Sequence, residues 1–324
     1  MNTVGEFDLI ERFFQRPARR AVLGVGDDCA LIQPTAGQQL AISTDMLVEG
    51  RHFLSTVDPA RLGHKALAVN LSDLAACGAK PVAFSLALSL PRADNAWLEG
   101  FSRGLFALAD AHECELIGGD TTQGPLNISI TVFGEVPPDQ ALLRHAAQAG
   151  DDVWVSGTLG DARLALDVFR GNCQVAGDVF ERIRARMECP TPRVELGQAL
   201  RGVAHAAIDI SDGLLGDLGH VLKRSGVGAQ IDTAWVQGSA AVTTDLLSLP
   251  WARRLDCVLA GGDDYELLFT APVQDRERIH ALASDVEVSV TRIGRITPES
   301  GLRVLDPQGQ PINRRFASFD HFSA

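Results

Sequence analysis

The stretch A-A-I-D-I-S-D-G-L-L-G-D-L-G-H-V-L-K-R-S (residues 206–225) changes character halfway. Its first six residues form a strand, A-A-I-D-I-S, in which alternation puts Asp209 and Ser211 on one face. A helix follows over about 213–225, and Asp212 stands at its start. A strand that carries acids and runs straight into a helix mixes the two element types within one short segment.

The same mixture extends along the chain. Strand-like runs at 21–25, 39–44, 82–90, 114–118 and 126–136 alternate with helical patterns near 59–78 and 94–112. Pro59 and Gly78 punctuate the first of those helices. Pro137–Pro138 and the G-D-D at 150–152 bracket a linker, which predicts domains at 1–137 and 152–324 joined by 138–151. The second half opens on the strand D-V-W-V-S-G, with helices at 160–170, 178–187 and 193–201. After 206–225 come a strand over 265–270, a helix over 275–284 and a strand over 287–296. The fold class is therefore α/β or α+β in two domains.

Composition narrows the function. The chain has 324 residues, 46% of them hydrophobic, enough for two ordinary cores. A net charge of −12 argues against a basic nucleic-acid surface. The six cysteines are scattered with no C-x-x-C, which fits free thiols in a reducing cytoplasm. The N-terminal run carries acids and predicts a short amphipathic helix, not a leader. No apolar stretch reaches the ~20 residues that span a bilayer. Only Lys65, Lys80 and Lys223 are lysines, and G-x-x-x-x-G-K-[ST] is absent, as are H-R-D and D-F-G.

Carboxylates beside glycine or apolar runs recur at 24–30, 41–53, 116–122, 207–214 and 259–267, and Asp73 lies inside the helix A-V-N-L-S-D-L-A-A. Each segment alone could be a turn or a cap. Asp151–Asp152 is expected to be a turn and nothing more. Asp73 is harder to place so, because a carboxylate on a largely apolar helix needs a partner. Taken together, converging carboxylates require cations, and oxygen-only ligands select Mg²⁺. Mg²⁺ in turn bridges phosphates, so the pattern points to metal-dependent phosphoryl transfer without a P-loop. Ser43 and Asp45 share a strand face, with Thr44 between them. The glycines of G-G-D-T-T would let backbone N–H groups approach a phosphate. Arg144 in the linker is either a phosphate contact or a solvated surface charge, and His52 either a substrate contact or an ordinary exposed histidine.

At these residues the chain resembles the thiamine-monophosphate kinases of the aminoimidazole-ribonucleotide-synthetase-like superfamily. The markers are G-V-G-D-D-C-A (24–30), I-S-T-D-M-L-V-E-G-R-H-F (42–53), N-L-S-D-L-A-A-C-G-A (70–79), L-I-G-G-D-T-T-Q-G-P-L (116–126), I-D-I-S-D-G-L-L-G-D-L-G-H (208–220) and G-G-D-D-Y-E-L (261–267). The resemblance implies transfer of the ATP γ-phosphoryl to thiamine monophosphate, giving thiamine diphosphate. It also implies several Mg²⁺ ions and a homodimer formed through the N-terminal domain. Matched by motif, the metal ligands are Asp28, Thr44, Asp45, Asp73, Asp120, Asp209 and Asp212. Gly119, Asp120, Arg144 and Ser211 contact nucleotide; His52, Asp263 and the tail residue Phe319 contact substrate. One departure stands out: similar sequences often read G-G-E-D-Y-E-L, and here Asp263 replaces the longer acid. The residues alone also admit a related enzyme that activates another acceptor through ATP, or a non-enzymatic divalent-metal protein, though no EF-hand spacing is present.

Overall fold

The computed structural model describes residues 5–316, so Phe319 lies outside the described residues. Contacts divide the chain into two compact units, Met1–Leu74 with Ala79–Asp139, and Ala75–Gly78 with Gln140–Ala324.

In the first unit a short helix α1 (Glu6–Phe13) precedes β1 (Gln39–Val48), α2 (Pro59–Ala76), β2 (Lys80–Leu90), α3 (Asn95–Ala111), β3 (Glu115–Gln123) and β4 (Asn127–Val136). The four strands pair in the order β1-β4-β2-β3. β4 is antiparallel to both neighbours, and β2 runs parallel to β3 after the crossover through α3. Alternation gives the sheet two unlike faces. Phe84, Leu86, Leu88, Ile128, Ile130 and Val132 are buried on one, while Leu40, Ile42 and Met46 of β1 are exposed on the other.

Helices α2 and α3 pack against each other at short range. A Cβ on Gly63 of α2 would sit 2.0 Å from the Phe101 carbonyl oxygen, and one on Gly104 of α3 would sit 1.8 Å from that of Ala60. Glycine is required at both places because backbone meets backbone there.

The second unit contains β5 (Asp152–Ser156), α4 (Asp161–Phe169), α5 (Gly177–Glu188), α6 (Val194–Ala199), β6 (Ala206–Asp209), α7 (Leu214–Ser225) and β7 (Gly228–Asp232). It continues with α8 (Thr244–Leu247), α9 (Trp251–Ala260), β8 (Leu267–Ala271), α10 (Arg276–Asp285), β9 (Val290–Thr297) and β10 (Gly301–Leu305). The six-stranded sheet has the order β10-β7-β9-β5-β8-β6. All its pairs are antiparallel except β10 with β7. β5 and β8 are buried along their whole length, and α7 and α9 pack into the same apolar core. The α+β class is therefore present in both units.

Three expectations change. Residues 21–25 form only isolated bridges, Leu23 with Leu31 and Val25 with Asp27, instead of a strand. Side chains hold that segment instead: Glu115 accepts the N–H groups of Arg19, Arg20 and Ala21 at 2.7–3.2 Å. Glu135 accepts those of Thr35 at 2.7 Å and of Arg20's guanidinium at 3.2 Å. Asp151 and Asp152 are not a plain turn but buried acids with distant side-chain partners. Asp152 holds Arg276 at 2.9 Å and Arg292 at 3.6 Å, and Asp151 holds the His205 ring at 2.9 Å. Strands β7 and β10 and helix α9 were not anticipated.

The glycine contacts yield a prediction with a sign opposite to propensity. Alanine favours a helix over glycine by up to about 1 kcal/mol. Overpacking a closed interface costs about 1–3 kcal/mol. Gly104→Ala should therefore lower the stability measured by urea unfolding. A variant at least as stable as the parent would show that α2 and α3 do not approach this closely.

Candidate active site

In the first unit Asp28 lies in a bend, but the other expected acids are not in turns. Asp45 lies within β1 and Asp120 within β3, the two edge strands of the sheet. Ser43 and Asp45 share the β1 face that looks onto α2. The Ser43 hydroxyl donates to the Asp73 carboxylate, and the Asp45 backbone N–H donates to the Asn70 side chain at 3.0 Å. Asn70 and Asp73 are one turn apart on α2, so strand and helix bring Asp45 and Asp73 to one place. Asn70 is buried, and its amide also donates to the Ala66 carbonyl at 3.0 Å. Thr44, on the other face, shares a hydrogen bond with Thr131 at 2.8 Å.

Asp120 is exposed and pairs in register with Ala87. Asp45 pairs with Ile130, which pairs with Leu86 and then Gly119. The two acids thus sit at opposite edges, about 14 Å apart, three strand spacings of ~4.8 Å. Gly119 has its own structural reason. A Cβ there would lie 1.8 Å from the Leu86 oxygen, and its φ is 149°. Gly118 faces open space, so close approach of a phosphate remains sterically free there.

Asp28 is exposed in the segment that Glu115 and Glu135 pin down, and its N–H donates to the neighbouring Asp27 at 2.8 Å. Glu135 is held below the usual carboxylate range: burial pushes it up, but the bonds from Thr35 and the Arg20 charge outweigh that. His52 follows β1 in a tight loop where its Nδ1 accepts the Val48 N–H at 2.9 Å. In the neutral ring the proton then sits on Nε2, which makes that atom a donor.

In the second unit Asp209 ends β6 and is buried, whereas Ser211 and Asp212 are half-buried in the turn before α7. The N–H groups of Ser211, Asp212 and Gly213 all point to one oxygen of Asp217, each at 3.1 Å. Burial, then the charge of Asp212, push the Asp217 carboxyl up to about 7, against those three bonds. The other side of the turn is clamped by G-G-D-D-Y-E-L. Asp263 donates its N–H to the Ser211 carbonyl at 2.9 Å and Tyr265 to that of Ile210 at 2.8 Å.

Within that motif the acids separate by role. Asp263 is half-buried and accepts the Tyr265 hydroxyl at 3.2 Å. Asp264 is buried and takes the Gly160 N–H, at the start of α4, at 3.0 Å. Burial raises its pKa well above the ordinary value. Glu266 is fully buried between Arg193 at 2.6 Å, Arg186 at 2.8 Å and the Ser156 hydroxyl at 2.6 Å. Burial opposes the Arg193 charge, yet its bonds to Glu266 raise its pKa. Arg144 is exposed on a turn whose carbonyl accepts from Ser225 at 3.2 Å. Asp217, Tyr265 and Glu266 were not singled out as site residues. Their positions inside the acid-rich motifs were the available signal.

Chemically, the donors are hard oxygens throughout, the set that suits Mg²⁺. Among the described residues no three acidic, histidine or cysteine side chains gather closely enough to hold a metal alone. Mg²⁺ is ordinarily held by one or two carboxylates, with water and substrate phosphates completing its shell. Asp45 with Asp73 fits that requirement.

Comparison with known proteins gives this arrangement a family. Residues 26–136 match the N-terminal domain of AIR synthase related proteins and residues 148–306 their C-terminal domain. Thiamine-monophosphate kinase of Escherichia coli (strain K12) is 45% identical, over 98% of each chain. The crystal structure of thiamine-monophosphate kinase from Stenotrophomonas maltophilia K279a superposes with a TM-score of 0.84 at 47% identity, covering 94% of this chain and 95% of that one. The complex of AaThiL with AMPPCP and TMP superposes with a TM-score of 0.75 at 29% identity, covering 90% and 89%. With two matching domains and near full-length relatives, the chain belongs to the thiamine-monophosphate kinases of the AIR synthase related family.

Proposed function

We infer that the protein transfers the γ-phosphoryl group of ATP to thiamine monophosphate, giving thiamine diphosphate and ADP. Near full-length identity to thiamine-monophosphate kinases carries this reading. A relative's complex with an ATP analogue and TMP supports it. An oxygen of the substrate phosphate attacks the γ-phosphorus, and the bond to the β-phosphate oxygen breaks. That oxygen is already anionic at neutral pH, so no strong base is needed. Catalysis is then positioning plus electrostatics.

Asp28, Thr44, Asp45, Asp73 and Asp120 in the first unit, and separately Asp209 and Asp212 in the second, are assigned to Mg²⁺ ions, which would neutralise phosphate charge. Asp73 is oriented for this by Ser43, and Asp45 by the Asn70 clamp on its backbone. Gly119, Asp120, Arg144 and Ser211 are assigned to the nucleotide. His52 would offer its Nε2–H, and Asp263 its carboxylate, to thiamine monophosphate. Phe319 keeps its assignment to substrate from the family resemblance alone.

A homodimer through the first unit belongs to the same reading. Leu40, Ile42 and Met46 expose a row of apolar side chains on edge strand β1, a surface that an isolated chain rarely leaves uncovered. A cytoplasmic location fits the six free cysteines. Among the described residues no helix is long and apolar enough to cross a membrane.

Two experiments test these assignments. With ATP, Mg²⁺ and thiamine monophosphate, chromatography should detect thiamine diphosphate. Asp45→Asn should lose on the order of 100-fold in kcat/KM, since metal charge stabilisation is worth several kcal/mol. ATP consumption without diphosphate would discard the acceptor. For the assembly, sedimentation velocity should find a dimer that Ile42→Lys converts to monomer; a wild-type monomer would remove the β1 face as an interface.

A further inference from the structure

We propose that Asp217 is a positioning residue: its buried carboxylate sets the shape of the Ser211–Gly213 turn and so aims Asp212 and Ser211 at the metal–nucleotide complex. The inference rests on the reading of Asp212 as a metal ligand. Four observations support it. Gly213, the cap of α7, has no side chain to satisfy the N–H groups at the helix start, and its φ is 116°. One Asp217 oxygen takes three of them, at 3.1 Å each. Two of the three belong to Ser211 and Asp212, which precede the helix, so the contact reaches beyond ordinary capping. The carboxylate is only 2% exposed, which leaves it no room to act on a ligand directly.

The turn has little freedom on its other side. The Ser211 carbonyl accepts the Asp263 N–H at 2.9 Å, and a Cβ on Gly262 would come within 2.4 Å of that same oxygen. A Cβ on Gly213 would meet the Ala260 backbone at 2.9 Å. With carbonyls held by one segment and N–H groups by Asp217, the direction of the Asp212 side chain follows from the backbone. Without Asp217, three N–H groups of a partly buried turn lose their acceptor, and the turn would have to rotate to find water.

The test separates geometry from charge. The amide oxygen of Asp217→Asn can accept the same three bonds, whereas Asp217→Ala cannot. Binding of Mg²⁺–AMPPCP is measured by calorimetry and Mn²⁺ binding in the presence of AMPPCP by electron paramagnetic resonance, with thermal unfolding alongside. Loss of an orienting partner behind a metal ligand typically weakens binding about 10–100-fold. Asp217→Ala should show that loss while remaining folded, and Asp217→Asn should stay within about threefold of the parent. Parent-like binding by Asp217→Ala overturns the proposal. Should the alanine variant not fold, Asp217→Asn decides alone: weak binding there refutes a geometric role. Asp212→Asn is the control. Parent-like binding by that variant refutes the metal assignment itself, a different failure from Asp212→Asn binding weakly while Asp217→Ala binds well.

Discussion

A carboxylate removed from water must be met by donors or by a positive charge, and that requirement organises the backbone around the acid-rich motifs of this protein. Glu266 is the extreme case in the second unit. Fully buried, it is held by Arg193, Arg186 and a serine hydroxyl. Its neighbour two residues earlier, Asp264, is anchored on the N–H at the start of α4. Removing one partner of such a buried pair costs about 3–5 kcal/mol, because the other charge is left uncompensated. These anchors fix the segment that in turn hydrogen-bonds the turn carrying Ser211 and Asp212. Structural acids therefore stand immediately beside those proposed as ligands.

That adjacency explains what the sequence could and could not disclose. The acid-bearing motifs were legible because aspartates repeatedly interrupt apolar runs. Their division of labour was not. In G-G-D-D-Y-E-L, Asp263 and Asp264 are chemically identical, yet one is half-buried at the surface and the other wholly enclosed. Only tertiary contacts distinguish them. Asp151 and Asp152 followed the same logic in reverse. Beside Gly150 they have the composition of a turn, but Arg276 and His205, distant in sequence, convert them into buried partners. Asp217 was nearer to being readable. An acid in the first turn of a helix whose cap is glycine is placed to receive orphan N–H groups.

The secondary structure shows a parallel pattern. Strongly periodic elements such as α2, α3 and β4 were readable to within a few residues. β1 and β3 run further than their apolar cores, to Val48 and Gln123, because edge strands tolerate polar residues with one side in water. Asp45 and Asp120 accordingly lie inside strands, where aspartate is disfavoured by propensity. Tertiary pairing overrides that preference, and for Asp45 the override includes the Asn70 bond to its backbone. β7 and β10 escaped because each is five residues long and opens on glycine, too short for alternation to declare itself.

Asp263 itself, where the family resemblance leads one to expect glutamate, has a backbone explanation. Its φ is 66°, and that of Tyr265 is 50°, so two non-glycine residues adopt left-handed geometry within three positions. Such conformations cost of order 1–3 kcal/mol each and persist only where surroundings impose them. Here the buried anchors Asp264 and Glu266 alternate with the strained residues and impose them. Aspartate enters the left-handed region several-fold more readily than most residues, and glutamate does not share that ease. The shorter acid thus relieves strain at the position that needs relief. What it loses in reach is partly made up in orientation, because the chain's single tyrosine, Tyr265, donates its hydroxyl to that carboxylate. An oriented short acid and a freer long one are two physical solutions to presenting one negative charge, and this backbone favours the first.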